Sequence, residues 1–459
     1  MSAPAHPYVP NAAPQVRDAM LRAIGVGSVE ELYGTIPPEL RLKRPLNLPA
    51  PFASEHELRR HVTGLLADTM PAGRTVSFLG AGTYQHDVPE ICREVAHRAE
   101  FLTDYAGEPY EDHGRWQALF EYTSLMAELL EMDVVSIPTY DGFQAAATAL
   151  RMSVRLTGRR VVLLPQVLNP RKRARLEAFL DGFAQVEQVP CDPATGTADL
   201  DALGQLLDKQ VAGVYVETPN AVGAIETQLD AIAHLAHRQG AVLVAGTEPL
   251  ALGYLTPPAR QGADIVCGDL QALGLGLAFG GARGGFIAVH DEPQFVFELP
   301  TRLFGLAPTT HADEIGFADV AYERTSLARR EEGVEWVGTA AALSGITAAV
   351  YLSLLGPDGL AELGEAVAAL TAYTMDQLAA IPGVEVPFGA APHWREFAVR
   401  YRAPVATVNR LLRHHGITGG SGPEEVPALG GNASLLAVTE VHSKADIDLL
   451  ASALRGVMA

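Results

Sequence analysis

The sequence has 459 residues, 48% hydrophobic and 19% charged, with 34 Lys and Arg against 54 Asp and Glu for a net charge of −20. Such a composition supplies a sizeable core for two or three domains and excludes collagen, coiled coil and wholesale disorder. The deficit of positive charge argues against nucleic acid as a partner, because phosphate contacts need clustered Lys and Arg.

Residues 1–60 are rich in proline and read as an arm rather than a domain. Within them Ala19–Ile24 forms a short helix stopped by Gly25, and Ser28-Val29-Glu30-Glu31 has the form of a capping box. Ile36-Pro37-Pro38 ends that second helix, since a proline restricts the residue before it. From 61 to 330, apolar runs alternate with amphipathic stretches. The runs are Val161–Leu164, Gly213–Val216, Val242–Ala245, Asp264–Val266 and Phe286–Val289, and several are apolar throughout, as buried parallel strands are. Leu229, Ile232, Ala233, Leu235 and Ala236 mark a helix between two of them. This alternation predicts a large α/β domain on a mostly parallel, doubly wound sheet. Residues 331–459 carry a long helical pattern near 338–379, broken at Gly356-Pro357-Asp358-Gly359. A small C-terminal α+β domain follows, with strands at Phe397–Tyr401 and Leu435–Val438 and a closing helix from Ala445.

Few general motifs are present. Cys92, Cys191 and Cys267 are too scattered for a disulfide framework or a zinc site. No apolar run reaches the roughly 18 residues of a membrane span, and MSAPAHPYVPN lacks the features of a signal peptide, so a cytoplasmic protein without a membrane partner is expected. Gly80-Ala81-Gly82 lacks the third glycine of a dinucleotide loop, and Gly280–Gly285 carries no lysine, so both read as tight turns. His56, His61, His414 and His415 lack metal-ligand spacing, and no metal is expected. Arg171-Lys172-Arg173-Ala174-Arg175 follows the helix-start signal Asn169-Pro170 and reads as a solvated helix face or a patch for an acidic partner.

HPYVPN at the start, SFLGAGTYQHDVP at 77–89 and GRWQALFEYTSLMAELLEMDVVSIPTYDG at 114–142 resemble the N-terminal subunit of glycine dehydrogenase (decarboxylating), the P-protein of the glycine cleavage system. ETPNAVGAIE, EPLALGYLTPP, GADIVCGDLQALGLGLAFGGARGGFIAV, VYLSLLGPDGL and LLAVTEVHSKADIDLL continue the resemblance in collinear order over nearly the whole chain. It implies the aspartate-aminotransferase-like fold, fold type I of the pyridoxal-phosphate enzymes. It also implies a heteromeric complex, an α2β2 heterotetramer, that decarboxylates glycine and passes the aminomethyl group to a lipoyl carrier protein.

Pyridoxal-phosphate chemistry needs a lysine amine to hold the coenzyme. The chain has four lysines, Lys43, Lys172, Lys209 and Lys444, and none follows the strand at Asp264–Val266, where the resemblance places it; that stretch reads Gly268-Asp269-Leu270-Gln271-Ala272-Leu273-Gly274. The resemblance therefore implies that a homologous, lysine-bearing second subunit holds pyridoxal phosphate and that this chain alone carries no catalytic residue. Candidates for a wall of the shared site, or for the subunit interface, are Thr83, Tyr84, His86 and Tyr105. Thr139, Asp141 and Gly142 open a helix where the fold often binds a phosphate through free N–H groups, and are candidates for a vestigial phosphate site. Two stretches depart from the family pattern: TDYAGEPYEDH at 103–113 and Arg329–Trp336. They leave open a diverged paralogue acting on another amino acid; a non-catalytic regulatory or binding protein that inherited the fold and lost the chemistry is the other alternative.

Overall fold

A computed structural model describes residues 8–101, 113–281, 283–338 and 341–458. It divides into two units, Met1–Thr69 and Met70–Ala459. The first unit contains α1 (Pro14–Ile24) and α2 (Glu55–Leu65). Pro14 suits the first turn of α1, and Gly25, at φ 85°, ends it with N–H bonds to the carbonyls of Leu21 and Arg22. The box expected at Ser28 forms only in part. Val29–Tyr33 is a 3-10 turn, and the Ser28 hydroxyl bonds to the Glu31 carboxylate (3.2 Å) instead of a backbone N–H. A fuller box starts α2, where Ser54 accepts from Glu57 N–H (3.2 Å) and Glu57 accepts from Ala53 N–H (3.1 Å). None of the described residues of this unit is buried.

The second unit opens with β1 (Val76–Ser77), α3 (Glu90–Ala96), α4 (His113–Leu130) and β2 (Val134–Val135). Helices and strands then alternate: α5 (Gly142–Thr157), β3 (Val161–Pro165), α6 (Pro170–Leu180), β4 (Gln185–Val189), α7 (Leu200–Leu206), β5 (Val211–Thr218) and α8 (Leu229–Arg238). Three more strands, β6 (Val242–Thr247), β7 (Ile265–Asp269) and β8 (Gly285–Val289), complete a seven-stranded sheet of order β2-β8-β7-β6-β5-β3-β4. From β7 to β4 neighbours run parallel. Phe286–Val289, expected as a parallel strand, lies in β8 and pairs antiparallel with both β7 and β2. Burial on both faces makes such a strand apolar whatever its direction, so hydropathy does not encode its polarity.

Alternate residues of these strands feed two cores. Val211, Val214 and Val216 of β5 and Leu243 and Ala245 of β6 join α4 and α8 on one face. Ala212, Tyr215, Val242 and Val244 join α5 and α6 on the other. Ala145, Ala146, Ala147 and Ala149, all fully buried, let α5 lie close to the strands.

Beyond the sheet come α9 (Pro293–Val296), an antiparallel hairpin of β9 (Leu303–Pro308) and β10 (Ile315–Val320), and α10 (Ser326–Arg329). The long α11 (Ala342–Ala379) bends where the sequence breaks, at Gly356 (φ 60°, ψ −176°) and Pro357. Its Tyr351 and Leu352 belong to a core of the large sheet, its Leu378 to that of the small lobe. That lobe comprises β11 (Val384–Glu385), β12 (Glu396–Tyr401), α12 (Val405–Arg413), β13 (Ile417–Thr418), β14 (Ala433–Ala437) and α13 (Lys444–Met458). β11, β12 and β14 form an antiparallel sheet, and β1 pairs with β13, which ties Val76 and Ser77 to this lobe.

Candidate functional site

Open α/β sheets place their sites at the carboxyl ends of the strands. At that edge the loop Gly80–Asp87 is held by residues that follow β6 and β7 and by the small lobe. Ala81 and Gly82 take positive φ, 67° and 99°, so the expected tight turn forms. The turn wraps the Glu396 carboxylate at the start of β12: Ala81 N–H donates to Oε1 (2.5 Å) and the Tyr84 hydroxyl to Oε2 (2.5 Å). Gln271, just past β7, binds Tyr84 on both sides of its backbone, accepting from its N–H (3.2 Å) and donating to its carbonyl (2.9 Å).

Arg395 lies 3.5 Å from the centroid of the Tyr84 ring and pairs with Glu248 at 2.7 Å. It also donates to His86 Nε2 at 3.2 Å. Because a guanidinium only donates, Nε2 is the accepting nitrogen, and Nδ1 carries the proton given to Glu440 at 2.9 Å. Glu440 also accepts from Asp87 N–H (2.7 Å), and the Thr439 hydroxyl donates to the Gln85 carbonyl (2.7 Å).

These contacts set the local electrostatics. Burial drives the Glu396 carboxyl up to about 7, against the opposing pull of its two hydrogen bonds and of Arg395. Burial, with the Glu396 charge beside it, pushes the Tyr84 phenol well above the ordinary tyrosine range, so it remains a donor. Burial opposes ionisation of Glu440 too, but its bonds from His86 and Asp87 outweigh it and hold its carboxyl below the usual range. Of the loop candidates, Tyr84 and His86 are thus buried and committed within the chain, while Thr83 stays half exposed. Tyr105 lies outside the described residues.

The helix candidates also have definite places. Thr139 is fully buried and pairs with Gly285 through both backbone bonds (2.9 and 3.0 Å). Asp141 is the N-cap of α5, accepting from Gln144 N–H at 2.7 Å. Gly142 N–H donates at 3.1 Å to Asp269 Oδ2, at the end of β7. The other Asp269 oxygen accepts from Gln271 N–H (2.9 Å), and Arg283 pairs with the carboxylate through Nε (2.9 Å) and Nη2 (2.7 Å). Arg283 Nη1 in turn donates to Thr83 Oγ1 at 3.2 Å. Asp269 and Arg283 therefore connect the helix start expected as a vestigial phosphate site to the loop. Asp269, Arg283, Gln271, Glu248, Arg395, Glu396 and Glu440 carry this arrangement, and sequence reasoning missed them as site residues.

The lysines do not suit a Schiff base. Lys172 donates to Glu217 (2.6 Å) and to the Tyr215 hydroxyl (2.8 Å). Burial alone would favour its free amine, but the carboxylate of Glu217, with that of Asp269 behind it, prevails and raises its pKa, so it is held as an ammonium without a nucleophilic lone pair. Lys209 is exposed before β5, Lys444 is exposed at the start of α13 and pairs with Asp448 (2.7 Å), and Lys43 belongs to the first unit. No amine follows β7, and Asp269 stands at the amino end of α5 where a coenzyme phosphate would bind. The residues present do not fit pyridoxal phosphate.

Two surface expectations change. The basic stretch at 171–175 is no simple solvated face: Arg171 reaches Glu425 (2.6 Å), Lys172 turns inward, and Arg173 bonds to the Pro165 carbonyl. Side-chain charge gives no hint that its partners lie inside. In the departing segment Arg329–Trp336, residues 329–332 are exposed, but Glu335 seats on α5 by accepting from the Thr148 hydroxyl at 2.5 Å.

The sheet order, the helix presented at the end of β7 and the small antiparallel lobe define the fold type I architecture of pyridoxal-phosphate enzymes. A sphingosine-1-phosphate lyase of Burkholderia pseudomallei shares the fold at a TM-score of 0.63, with 16% identity over 90% of this chain and 92% of that one. The chain belongs to the family described as the glycine cleavage system P-protein, whose model matches residues 6–454. It is 36% identical over 457 residues to the probable glycine dehydrogenase (decarboxylating) subunit 1 of Carboxydothermus hydrogenoformans, covering 98% of this chain and 99% of that one. A crystal structure of glycine decarboxylase, the P-protein of the glycine cleavage system, in inhibitor-bound form superposes at a TM-score of 0.84, with 34% identity and full coverage of both chains. Among the described residues no helix is long and apolar enough to cross a membrane, and no group of His, Cys, Asp and Glu could hold a metal ion.

Proposed function

We propose that this chain is the lysine-free subunit of a heteromeric glycine decarboxylase. A homologous second subunit carries pyridoxal phosphate, and the pair, as an α2β2 heterotetramer, releases carbon dioxide from glycine and transfers the aminomethyl group to a lipoyl carrier. The relatives named as subunit 1 support the pairing, and their match over the full chain length supports the reaction. The observation that carries the division of labour is the closed coenzyme slot: Asp269 and Arg283 fill the amino end of α5, and Lys172 is tied to Glu217.

In this reading the partner subunit would hold the coenzyme, which would supply the electron sink that decarboxylation needs. The present chain binds and orients. Its loop Gly80–Asp87 presents Thr83 as a wall residue, while Tyr84 and His86 hold that wall from beneath through Glu396, Arg395 and Glu440. A wall fixed before substrate arrives costs less ordering on binding and keeps reacting groups in register. The test is to reconstitute the two purified subunits with pyridoxal phosphate and a lipoyl carrier and to measure carbon dioxide release from carboxyl-labelled glycine. Release that requires both subunits is expected. Equal release by the second subunit alone, or release from another amino acid but not from glycine, contradicts the proposal.

A further inference from the structure

The contacts at the amino end of α5 form a chain with a direction. Helix N-termini attract anions because their first N–H groups lack partners and the helix dipole is positive there. Here the anion is a side chain. The two oxygens of Asp269 receive the N–H groups of Gly142 and Gln271 and two N–H groups of Arg283, all within 3.1 Å. The fit depends on Gly142, because a Cβ there would lie 2.9 Å from the Asp269 Cβ and 3.0 Å from its backbone nitrogen. Arg283, anchored in this way, has Nη1 left to reach Thr83. A planar guanidinium held by two bonds to a carboxylate has little rotational freedom, so its remaining donor fixes the position of whatever it meets.

We propose that Asp269 and Arg283 are positioning residues: Asp269 takes the place of a bound phosphate at the amino end of α5, and Arg283 carries that anchor to Thr83 and the loop Gly80–Asp87. The catalytic consequence rests on the function proposed above; the anion mimicry does not. The old coenzyme site is in this sense reused, as a fixed internal ion pair that sets the wall of the partner's site.

The test uses two measurements. In the isolated chain, Asp269→Ala vacates the anion position while leaving Gly142 N–H and Arg283 in place. Titration with inorganic phosphate, followed by calorimetry, is expected to show millimolar binding to Asp269→Ala, none to the wild type, and none to Asp269→Ala combined with Arg283→Gln. In the reconstituted complex, Asp269→Ala is expected to lower kcat/KM for glycine by up to about 100-fold, the scale of a misplacement of about 1 Å, mainly through KM, and millimolar phosphate restores part of the loss. Arg283→Gln is expected to show a similar loss that phosphate does not restore, and Arg283→Lys a smaller one. A merely structural pair would change stability without phosphate rescue. A folded Asp269→Ala chain that binds no phosphate, a kinetic loss indifferent to phosphate, or a kinetically silent Arg283→Gln overturns the inference. If the wild-type complex itself turns over no glycine, the proposed function falls, while phosphate binding by the isolated variant still decides whether Asp269 is an anion mimic.

Discussion

Glu396 and Arg395 show how one buried pair of neighbours can govern a loop more than three hundred residues away in sequence. The Glu396 carboxyl titrates at about 7 in the folded chain, against about 4.5 for an ordinary glutamate. The native state therefore holds its proton more tightly, and the stabilisation this gives is full below about pH 4.5 and lost as pH rises through about 7. Above that point the buried charge costs on the order of 3 kcal/mol. Glu396→Gln lacks this dependence, so the Tm advantage of the wild type over the variant is expected to shrink between pH 5 and pH 8. A difference that stays constant over that range would contradict the assignment. Arg395→Ala removes the partner of Glu248 and the cation over Tyr84, leaving buried charge uncompensated. A loss of about 3–5 kcal/mol in urea unfolding is expected, and a loss below about 1 kcal/mol would show that solvent reaches the pair. The loop's residue types marked Thr83, Tyr84 and His86 as candidates. That Tyr84 and His86 face inward was not legible, because their partners at 395, 396 and 440 come together only when the small lobe folds against the large sheet.

At the scale of elements, the kink of α11 is the most exposed local device. Gly356 sits at φ 60° and ψ −176°, a region essentially reserved for glycine, with no neighbouring atom within 4 Å of the place where a Cβ would be. Gly356→Ala is therefore penalised by backbone strain alone, by about 1–3 kcal/mol, while Pro357→Ala is expected to change little because the helical path is already interrupted. Denaturant midpoints of the two variants measure this, and equal midpoints would contradict it. Gly356-Pro357 was readable because Gly and Pro act through their own backbone. So were β3, β5 and β6, whose unbroken apolar runs reflect burial on both faces. β4, with the sequence Gln-Val-Glu-Gln-Val at the sheet edge, was missed because only part of it meets the core. The hairpin of β9 and β10 was missed for a related reason: it lies outside the main sheet, and Leu306 and Ile315 are exposed.

For the whole molecule, the sheet order and the small lobe reproduce an enzyme architecture, while the amino end of α5 is occupied by the protein's own charges, Asp269 and Arg283. The absence of a lysine after β7 could be read from sequence. That Lys172 is nonetheless drawn to the strand ends, within reach of Glu217 and Tyr215, could not, since a lysine in a basic run normally faces water. It is also the one lysine of the second unit that is not exposed, and so the most direct challenge to the proposal that this chain holds no coenzyme. Reduction with borohydride after incubation with pyridoxal phosphate, followed by peptide mapping, addresses that claim directly. With both subunits present, stoichiometric labelling of a single lysine of the second subunit is the predicted result, and the present chain alone should show only weak, scattered labelling of exposed amines. Stoichiometric labelling of Lys172 in the isolated chain would contradict the account.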